Sequence, residues 1–319
     1  MSYSFAFQTD PIERLNIVGD SSFAMMLEAQ ARGHGLAQIV PGDVVYENGE
    51  ICARVRRVTV ADDPKAPFTV HETHFADLRE FDAVFIRQDP PFDMKYYANT
   101  LLLELLEPEV MVLNSPRGIR NVSEKLSAFQ FPDLMPQTWA GRDKDALIAF
   151  AERFDWVVVK PLFHGGGETV SRTTTDRQSL EPHLDRALAT WPDEPILVQE
   201  YLPEVPEEGD KRIMFIEGEV VGCIRRIPAE GDFRANIHVG GRAVLGEIDD
   251  RDWRVCNRVG PFLRDENIFF AGIDVLAGRL IEINVTSPTL MRDLKRVGGP
   301  DVAKLYMERL EQRLAERRT

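Results

Sequence analysis

Apolar positions along the chain fall into two rhythms, one of period two and one of helical period. In the first third, short apolar runs at residues 3–8, 83–87 and 110–113 predict strands. Between them, Asp20 or Ser21 can cap a helix running to about Arg32, with Phe23, Met26 and Leu27 on its buried face and Gly33 just past its end. This βαβ-like alternation predicts a small parallel sheet covered by helices, with functional groups gathered beyond the carboxyl ends of its strands. Asn121-Val-Ser-Glu124 has the form of a capping box and predicts a helix from Val122 to just before Phe131-Pro132. Further strands are expected at 156–161 and from 196, and a hairpin at 211–216 and 219–226 around Glu217-Gly218. Residues 229–246 show little periodicity and read as a mobile surface loop, either a lid or an idle insertion. A second hairpin spans 268–288 with Leu276, Ala277 and Gly278 in its turn. A final helix, 301–317, carries the stripe Val302, Leu305, Tyr306, Leu310 and Leu314 for core or subunit packing.

Composition narrows the class. At 319 residues the chain is too long for one simple core, so two or three lobes are expected, the first ending near residue 120. A formal net charge of −14 with no offsetting basic run argues against a nucleic-acid or anionic-membrane surface. Cys52, Cys223 and Cys256 are far apart and odd in number, which fits a reduced cytosol and neither a disulfide framework nor a zinc site. The first ten residues lack a basic segment and a long apolar core, so no signal peptide is expected. No apolar run approaches membrane-spanning length, and a cytoplasmic soluble protein is the expectation.

Candidate chemistry concentrates in the second hairpin. Glu282 and Asn284 share a strand face, and a three-residue turn would pair Val275 with Arg279 and bring Asp274 to that face. Two carboxylates and an amide oxygen in an apolar hairpin suit Mg²⁺; the alternative is a solvent-facing strand with scattered acids. Arg87, before a double proline, could clasp a substrate carboxylate or simply tie down that loop. Lys125, in the first turn of the expected helix, sits where the helix dipole disfavours a cation, which points to an anionic ligand nearby. Lys160 ends a strand that runs into Phe163-His164-Gly165-Gly166-Gly167, which is either a phosphate cradle or a plain mobile turn. No GK[ST] follows those glycines, so this is not a Walker A loop, and His164 reads as a loop residue rather than a base. The strand entering Gln199-Glu200-Tyr201-Leu202-Pro203 could offer its backbone to a purine edge, and the acidic run 204–210 reads as a solvated loop. Arg212, Arg225 and Arg226 concentrate positive charge, with Arg225 and Arg226 on opposite faces.

Taken together, the motifs D20-S-S-F-A, I86-R-Q-D-P-P-F-D, N121-V-S-E-K-L, V159-K-P-L, Q199-E-Y-L-P, G209-D-K-R, R226-I-P and E282-I-N-V-T-S-P resemble those of prokaryotic glutathione synthetases of the ATP-grasp superfamily. The resemblance covers nearly the whole chain. It implies an α/β composite: a Rossmann-like lobe at 1–121, a central lid at 122–200, and a C-terminal ATP-grasp lobe at 201–319 with the mobile loop. The implied chemistry joins γ-glutamylcysteine and glycine with ATP and Mg²⁺, or Mn²⁺, through an acyl phosphate. Carried over by position, Lys125, Lys160 and the glycines 165–167 touch ATP phosphates. Gln199, Glu200 and Leu202 line adenine, and Asp210 meets the ribose. Asp274, Glu282 and Asn284 hold metal. Arg87, Arg212, Arg226, Asn284 and Ser287 hold the dipeptide and the forming product, Arg212 and Arg226 also stabilising the reacting oxygens. Gly240 and Gly241 fall in the loop that closes over the intermediate. A homo-oligomer, tetramer or dimer, is implied as well. The chain departs from the family pattern at His164 and Glu168, where small residues are usual; a glutamate there would repel phosphates unless it points away. The rivals are an ATP-grasp ligase for another acid or amine, and a nucleotide-binding regulator that has lost activity.

Overall fold

In the computed structural model, residues 2–163, 169–229, 234 and 240–318 are described. Buried aromatic runs make the first sheet. The strands β1 (Ser4–Gln8), β2 (Gly35–Ile39), β3 (Val44–Glu47), β4 (Glu50–Val60), β5 (Phe68–Asp77), β6 (Ala83–Ile86) and β7 (Met111–Leu113) form one seven-stranded sheet. Its centre is parallel, with β1 between β2 and β6 and β7 beyond β6, while β3, β4 and β5 add antiparallel strands at one side. Phe5, Phe7 and Phe85 are fully buried, and Phe7 stacks on Phe85 at 4.2 Å between centroids. Asp20 caps the helix Ser21–Ala31 by accepting from the Phe23 N–H at 2.6 Å, as the pattern predicts.

The capping box at residues 121–124 does not form. Ser115 caps earlier, with Pro116 at the first helical position, and the helix Pro116–Asn121 ends where the pattern would start one. Glu124 is claimed by tertiary partners instead: its carboxylate accepts from the Thr286 hydroxyl at 2.9 Å, and its carbonyl accepts from the Ile283 N–H at 2.8 Å. Only a 3₁₀ turn, Leu126–Gln130, follows Lys125. Val122, Ala128, Phe131, Leu134 and Met135 then pack into the core of the C-terminal lobe rather than into the central one.

The central sheet, β8 (Thr138–Gly141), β9 (Trp156–Pro161), β10 (Ser171–Thr174) and β11 (Ile196–Glu200), runs in the antiparallel order β10-β9-β11-β8. Leu147, Ile148, Leu180 and Leu184 from two helices cover it. The third sheet, β12 (Asp210–Ile216), β13 (Glu219–Ile227), β14 (Arg242–Leu245), β15 (Phe270–Leu276) and β16 (Arg279–Asn284), is antiparallel in the order β14-β13-β12-β15-β16. Two sequence expectations change here. The acidic stretch contains a helical turn, Val205–Glu208, and Asp210 opens a strand. The expected loop at 229–246 ends in a strand, because Arg242–Leu245 pairs with Ile224–Ile227; residues 230–233 and 235–239 lie outside the described residues.

Alternation divides the labour of this third sheet. Ile213, Phe215, Ile273, Val275 and Ile283 face a core capped by Val255, Val259 and Leu263 of the helix Asp250–Asp265. On the opposite face, Met214, Ile216, Ile224 and Phe270 pack against the first lobe and the C-terminal helix Val302–Arg317. Tyr306 of that helix contacts Phe85, Phe269 and Phe270, so the apolar stripe is core between lobes. Asn114, just after β7, stitches the same seam. Its amide donates to the Phe270 and Val285 carbonyls, both at 2.7 Å, and its oxygen accepts from the Phe270 N–H at 2.8 Å. Asn114→Ala leaves three buried backbone groups unpaired, and a loss of about 3 kcal/mol is expected from the urea midpoint; an unchanged midpoint would show that the seam does not depend on this amide.

Candidate active site

The remaining end of that opposite face is charged. Cross-strand pairs place Asp210 beside Arg226, Arg212 beside Asp274, and Asp274 beside Glu282. Asn284 lies two residues beyond Glu282 and its amide donates to Glu282 Oε1 at 3.2 Å. The route to this arrangement differs from the one expected. Ala277 (φ 47°) and Gly278 (φ 71°) form a two-residue turn, so Leu276 pairs with Arg279 and Val275 with Leu280. Continued regularly, that register would set Asp274 opposite Ile281. A bulge opposite Asp274/Val275 absorbs Ile281, lets Leu280 stay in the core, and turns Glu282 to the face of Asp274. The expected face is right; the expected turn is not.

Gly272 is part of the device. A Cβ there would lie 2.7 Å from Arg212 Cδ, so the bare backbone gives the arginine its path to Asp274. Arg212 grips the Asp274 carboxylate through Nε and Nη2, and Arg226 Nη2 reaches Asp274 Oδ2 at 2.9 Å while also holding Asp210 Oδ2. Burial pushes Asp274 upward, but the two guanidiniums outweigh it and hold the carboxyl well below the usual range. Glu282 goes the other way, pushed up to about 7 by burial and by the neighbouring Asp274. Burial likewise lifts Asp210 to about 6, against the pull of Arg226. Asp210 Oδ1 is buried without a hydrogen-bond partner among the described residues, an acceptor open to a hydroxyl donor.

Across from this sheet, Lys160 at the end of β9 donates to Gln199 Oε1 at 2.9 Å, and Gln199 Nε2 donates to Thr138 at 2.7 Å. Burial draws Lys160 down to about 8, opposed by Glu282 and reinforced by Lys125. Lys125 is also buried and donates to the Leu162 carbonyl at 3.2 Å. Its prominence therefore comes from tertiary placement, not from a helix first turn. The Gln199 side chain is committed to Lys160 and Thr138; the Glu200 N–H goes to the Gln137 carbonyl, and half-buried Leu202 follows the strand end. Arg87 is buried and donates to Ser22 Oγ at 3.0 Å and to the Pro288 carbonyl at 2.8 Å, tying the first lobe to the segment after β16. The Ser287 hydroxyl donates to the Arg87 carbonyl at 3.4 Å. Arg226 is buried and Arg225 only half-buried, as their alternation requires. Gly240 (φ 99°) and Gly241 sit just before β14. Gly165, Gly166 and Gly167, with His164 and Glu168, lie outside the described residues.

The oxygen set Asp274, Glu282 and Asn284 fits a hard divalent cation. Buried Asp274 and half-buried Glu282 are direct cross-strand neighbours. A cation between them would relieve their repulsion. No group of three or more His, Cys, Asp or Glu residues forms a metal site among the described residues. A cation here would complete its shell from water and phosphate, the habit of Mg²⁺.

Comparison with known proteins decides the family. The model of the prokaryotic glutathione synthetase N-terminal domain matches residues 3–120, and that of the same family's ATP-grasp domain matches residues 124–299. The chain belongs to the prokaryotic glutathione synthetase family. Among its relatives, the glutathione synthetase of Bradyrhizobium diazoefficiens is 43% identical over 99% of this chain and all of its own. That of Rhodopseudomonas palustris is 42% identical with the same coverage of both chains. Solved structures share the ATP-grasp fold at lower identity. D-cycloserine synthetase DcsG superposes with a TM-score of 0.67 at 16% identity, over 98% of this chain and 99% of its own. D-alanyl-alanine synthetase A of Vibrio cholerae does so with 0.60 at 12%, over 99% and 98%. The glutathione synthetase motifs fall where the sheets converge: the lysines on one side, the Arg–Asp–Glu–Asn array on the other, and Arg87 at the seam with the first lobe. The sequence carries no sign of the parts played by Thr138 and Asn114; Gly272, two residues before Asp274 on the same strand face, is the readable one.

Proposed function

We propose that this site ligates γ-glutamylcysteine to glycine at the expense of ATP. The observation that carries the reading is the single sheet face on which Arg212, Asp274 and Glu282 are cross-strand neighbours and Asn284 stands beside Glu282, in a chain of this family. A carboxylate does not accept an amine at neutral pH, so it must first be activated. The γ-phosphoryl group passes to the cysteinyl carboxylate oxygen and ADP departs. The glycine amine then attacks the acyl carbon, and inorganic phosphate leaves with the former carboxylate oxygen. Nothing in this sequence asks for a side-chain nucleophile; positioning and charge stabilisation suffice.

The roles are those the family resemblance implies, and the geometry is compatible with them. Lys125 and Lys160 meet the phosphates; Gly165, Gly166 and Gly167, which lie outside the described residues, are assigned to the same phosphates from the family motif alone. Gln199, Glu200 and Leu202 border the adenine, and the open Asp210 oxygen accepts from a ribose hydroxyl. Asp274, Glu282 and Asn284 hold Mg²⁺ or Mn²⁺, which when bound neutralises phosphate charge during transfer. Arg212 and Arg226 stabilise the reacting oxygens, Arg87 and Ser287 orient the dipeptide, and Gly240 and Gly241 border the closing loop, which excludes water from the acyl phosphate. The lobes are assigned as 1–121, 122–200 and 201–319, with 122–135 contributing to the third core. The working state is a cytoplasmic homo-oligomer, a tetramer or dimer. No helix among the described residues is long and apolar enough to cross a membrane, and Cys52, Cys223 and Cys256 are buried and free.

The test is ADP release with ATP, Mg²⁺, γ-glutamylcysteine and glycine, omitting each in turn. ADP formation that requires both amino-acid substrates, with glutathione in equal amount, is the expected result. ADP release without the dipeptide, or none with the full set, would overturn the assignment.

A further inference from the structure

One peptide bond at the edge of the site is gripped at both ends by oppositely charged side chains. The carbonyl of Leu162 accepts from Lys125 Nζ at 3.2 Å, and the N–H of the same peptide unit, on Phe163, donates to Glu194 Oε2 at 2.8 Å. The two grips come from different parts of the fold. Lys125 precedes the 3₁₀ turn packed in the C-terminal core, whereas Glu194 lies in the turn entering β11 of the central sheet. Glu194 is only 7% exposed, and its turn is braced from outside by Arg142, which donates to the Trp191 carbonyl at 2.7 Å and to the Glu194 carbonyl at 2.6 Å.

We propose that Glu194 is a positioning residue for nucleotide binding: by holding the Phe163 N–H it aims the Leu162 carbonyl at Lys125 and so places that ammonium for the phosphates. The inference rests on the assignment of Lys125 to the nucleotide phosphates. Three physical points support it. A trans peptide points its C=O and N–H in opposite directions, so fixing one end fixes the other. A hydrogen bond to an ionised acceptor is short and strong, so this grip is a firm one. And because the carboxylate takes the N–H edge, it stands on the side of the peptide away from Lys125; it can steer the lysine without presenting its own charge to the phosphates. In this role Glu194 acts through the peptide.

The experiment compares Glu194→Ala, Glu194→Gln, Lys125→Ala and the Glu194→Ala/Lys125→Ala pair in initial-rate assays with ATP, Mg²⁺, γ-glutamylcysteine and glycine. Glu194→Ala is expected to raise the KM for ATP about tenfold while the KM values for dipeptide and glycine stay within about twofold. Glu194→Gln, which keeps an oxygen acceptor at the same reach, restores most of the loss. The decisive readout is non-additivity: since Glu194 works through Lys125, the double variant should bind ATP no worse than Lys125→Ala alone. If Glu194→Ala does not fold, Glu194→Asp, which retracts the acceptor by one methylene, carries the same expectation at about threefold. An unchanged KM for ATP, an equal loss toward all three substrates, or additive losses in the double variant would overturn the inference. If Lys125→Ala itself leaves the KM for ATP unchanged, it is the nucleotide assignment that fails, and the inference with it.

Discussion

Glu282→Gln abolishes turnover and leaves the fold in place: that is the largest single effect expected from this structure. The carboxyl stands directly across β15–β16 from Asp274, and burial beside that neighbour pushes it up to about 7. A glutamine of the same shape can occupy the site and keep a hydrogen bond toward Asp274 and Asn284. Folding therefore loses little, and the thermal midpoint should move by no more than about 3 °C. Catalysis is different. The amide cannot supply the negative charge that would hold a divalent cation against the triphosphate, and the cost falls on the transition state of phosphoryl transfer. A drop in kcat of at least about 10³-fold is expected, roughly 4 kcal/mol of lost stabilisation. Nucleotide should still bind through Lys125 and Lys160, so calorimetric titration with ADP separates loss of chemistry from loss of the site. A folded variant retaining a tenth of the wild-type kcat would remove Glu282 from the mechanism.

What could be read in advance, and what could not, follows from the range of the forces involved. Period-two spacing puts Glu282 and Asn284 on one face, and alternation puts Arg225 and Arg226 on opposite faces, of which the structure buries Arg226. These are local rules and they held. The length of the same hairpin's turn is not fixed by Leu276-Ala277-Gly278 alone, and the bulge at Ile281 has no local signature. It exists because Leu280 belongs in the core on one side while Glu282 belongs on the other. The capping box failed for a related reason: Asn121 and Glu124 have the right spacing, but Thr286 and Ile283, more than 150 residues away, offer Glu124 better partners. Lys125 was singled out on that mistaken helix, and the structure makes it prominent for another reason, its grip on the Leu162 carbonyl. Glu194 left no trace, since an Asp-Glu pair in a proline-flanked turn is ordinary until the fold sets a buried N–H against one of them.

Arg226→Met separates stability from chemistry at the centre of the array. Arg226 is 3% exposed and stands between Asp210 and Asp274, hydrogen-bonding the first and ion-paired with the second. Burial alone would lower its affinity for a proton, yet the two acids outweigh burial and hold it firmly charged. Methionine fills much of the same volume but leaves half-buried Asp210 without its ion-pair partner and Asp274 with Arg212 alone. Stripping one partner from a buried ionic cluster costs about 3–5 kcal/mol, far more than a surface pair of equal length, because the remaining charge cannot return to water. The urea midpoint should fall accordingly, and activity should fall by at least about 100-fold as reacting oxygens lose a donor. Adding Asp210→Asn to Arg226→Met distinguishes the two losses. Removing the orphaned charge should recover about 1–3 kcal/mol of stability, the coupling expected of direct neighbours. It should recover no activity, because the missing guanidinium is still missing. If the double variant is no more stable than Arg226→Met, the Asp210–Arg226 pair is not what holds this end of the sheet; if activity returns with stability, Arg226 serves the fold rather than the reaction.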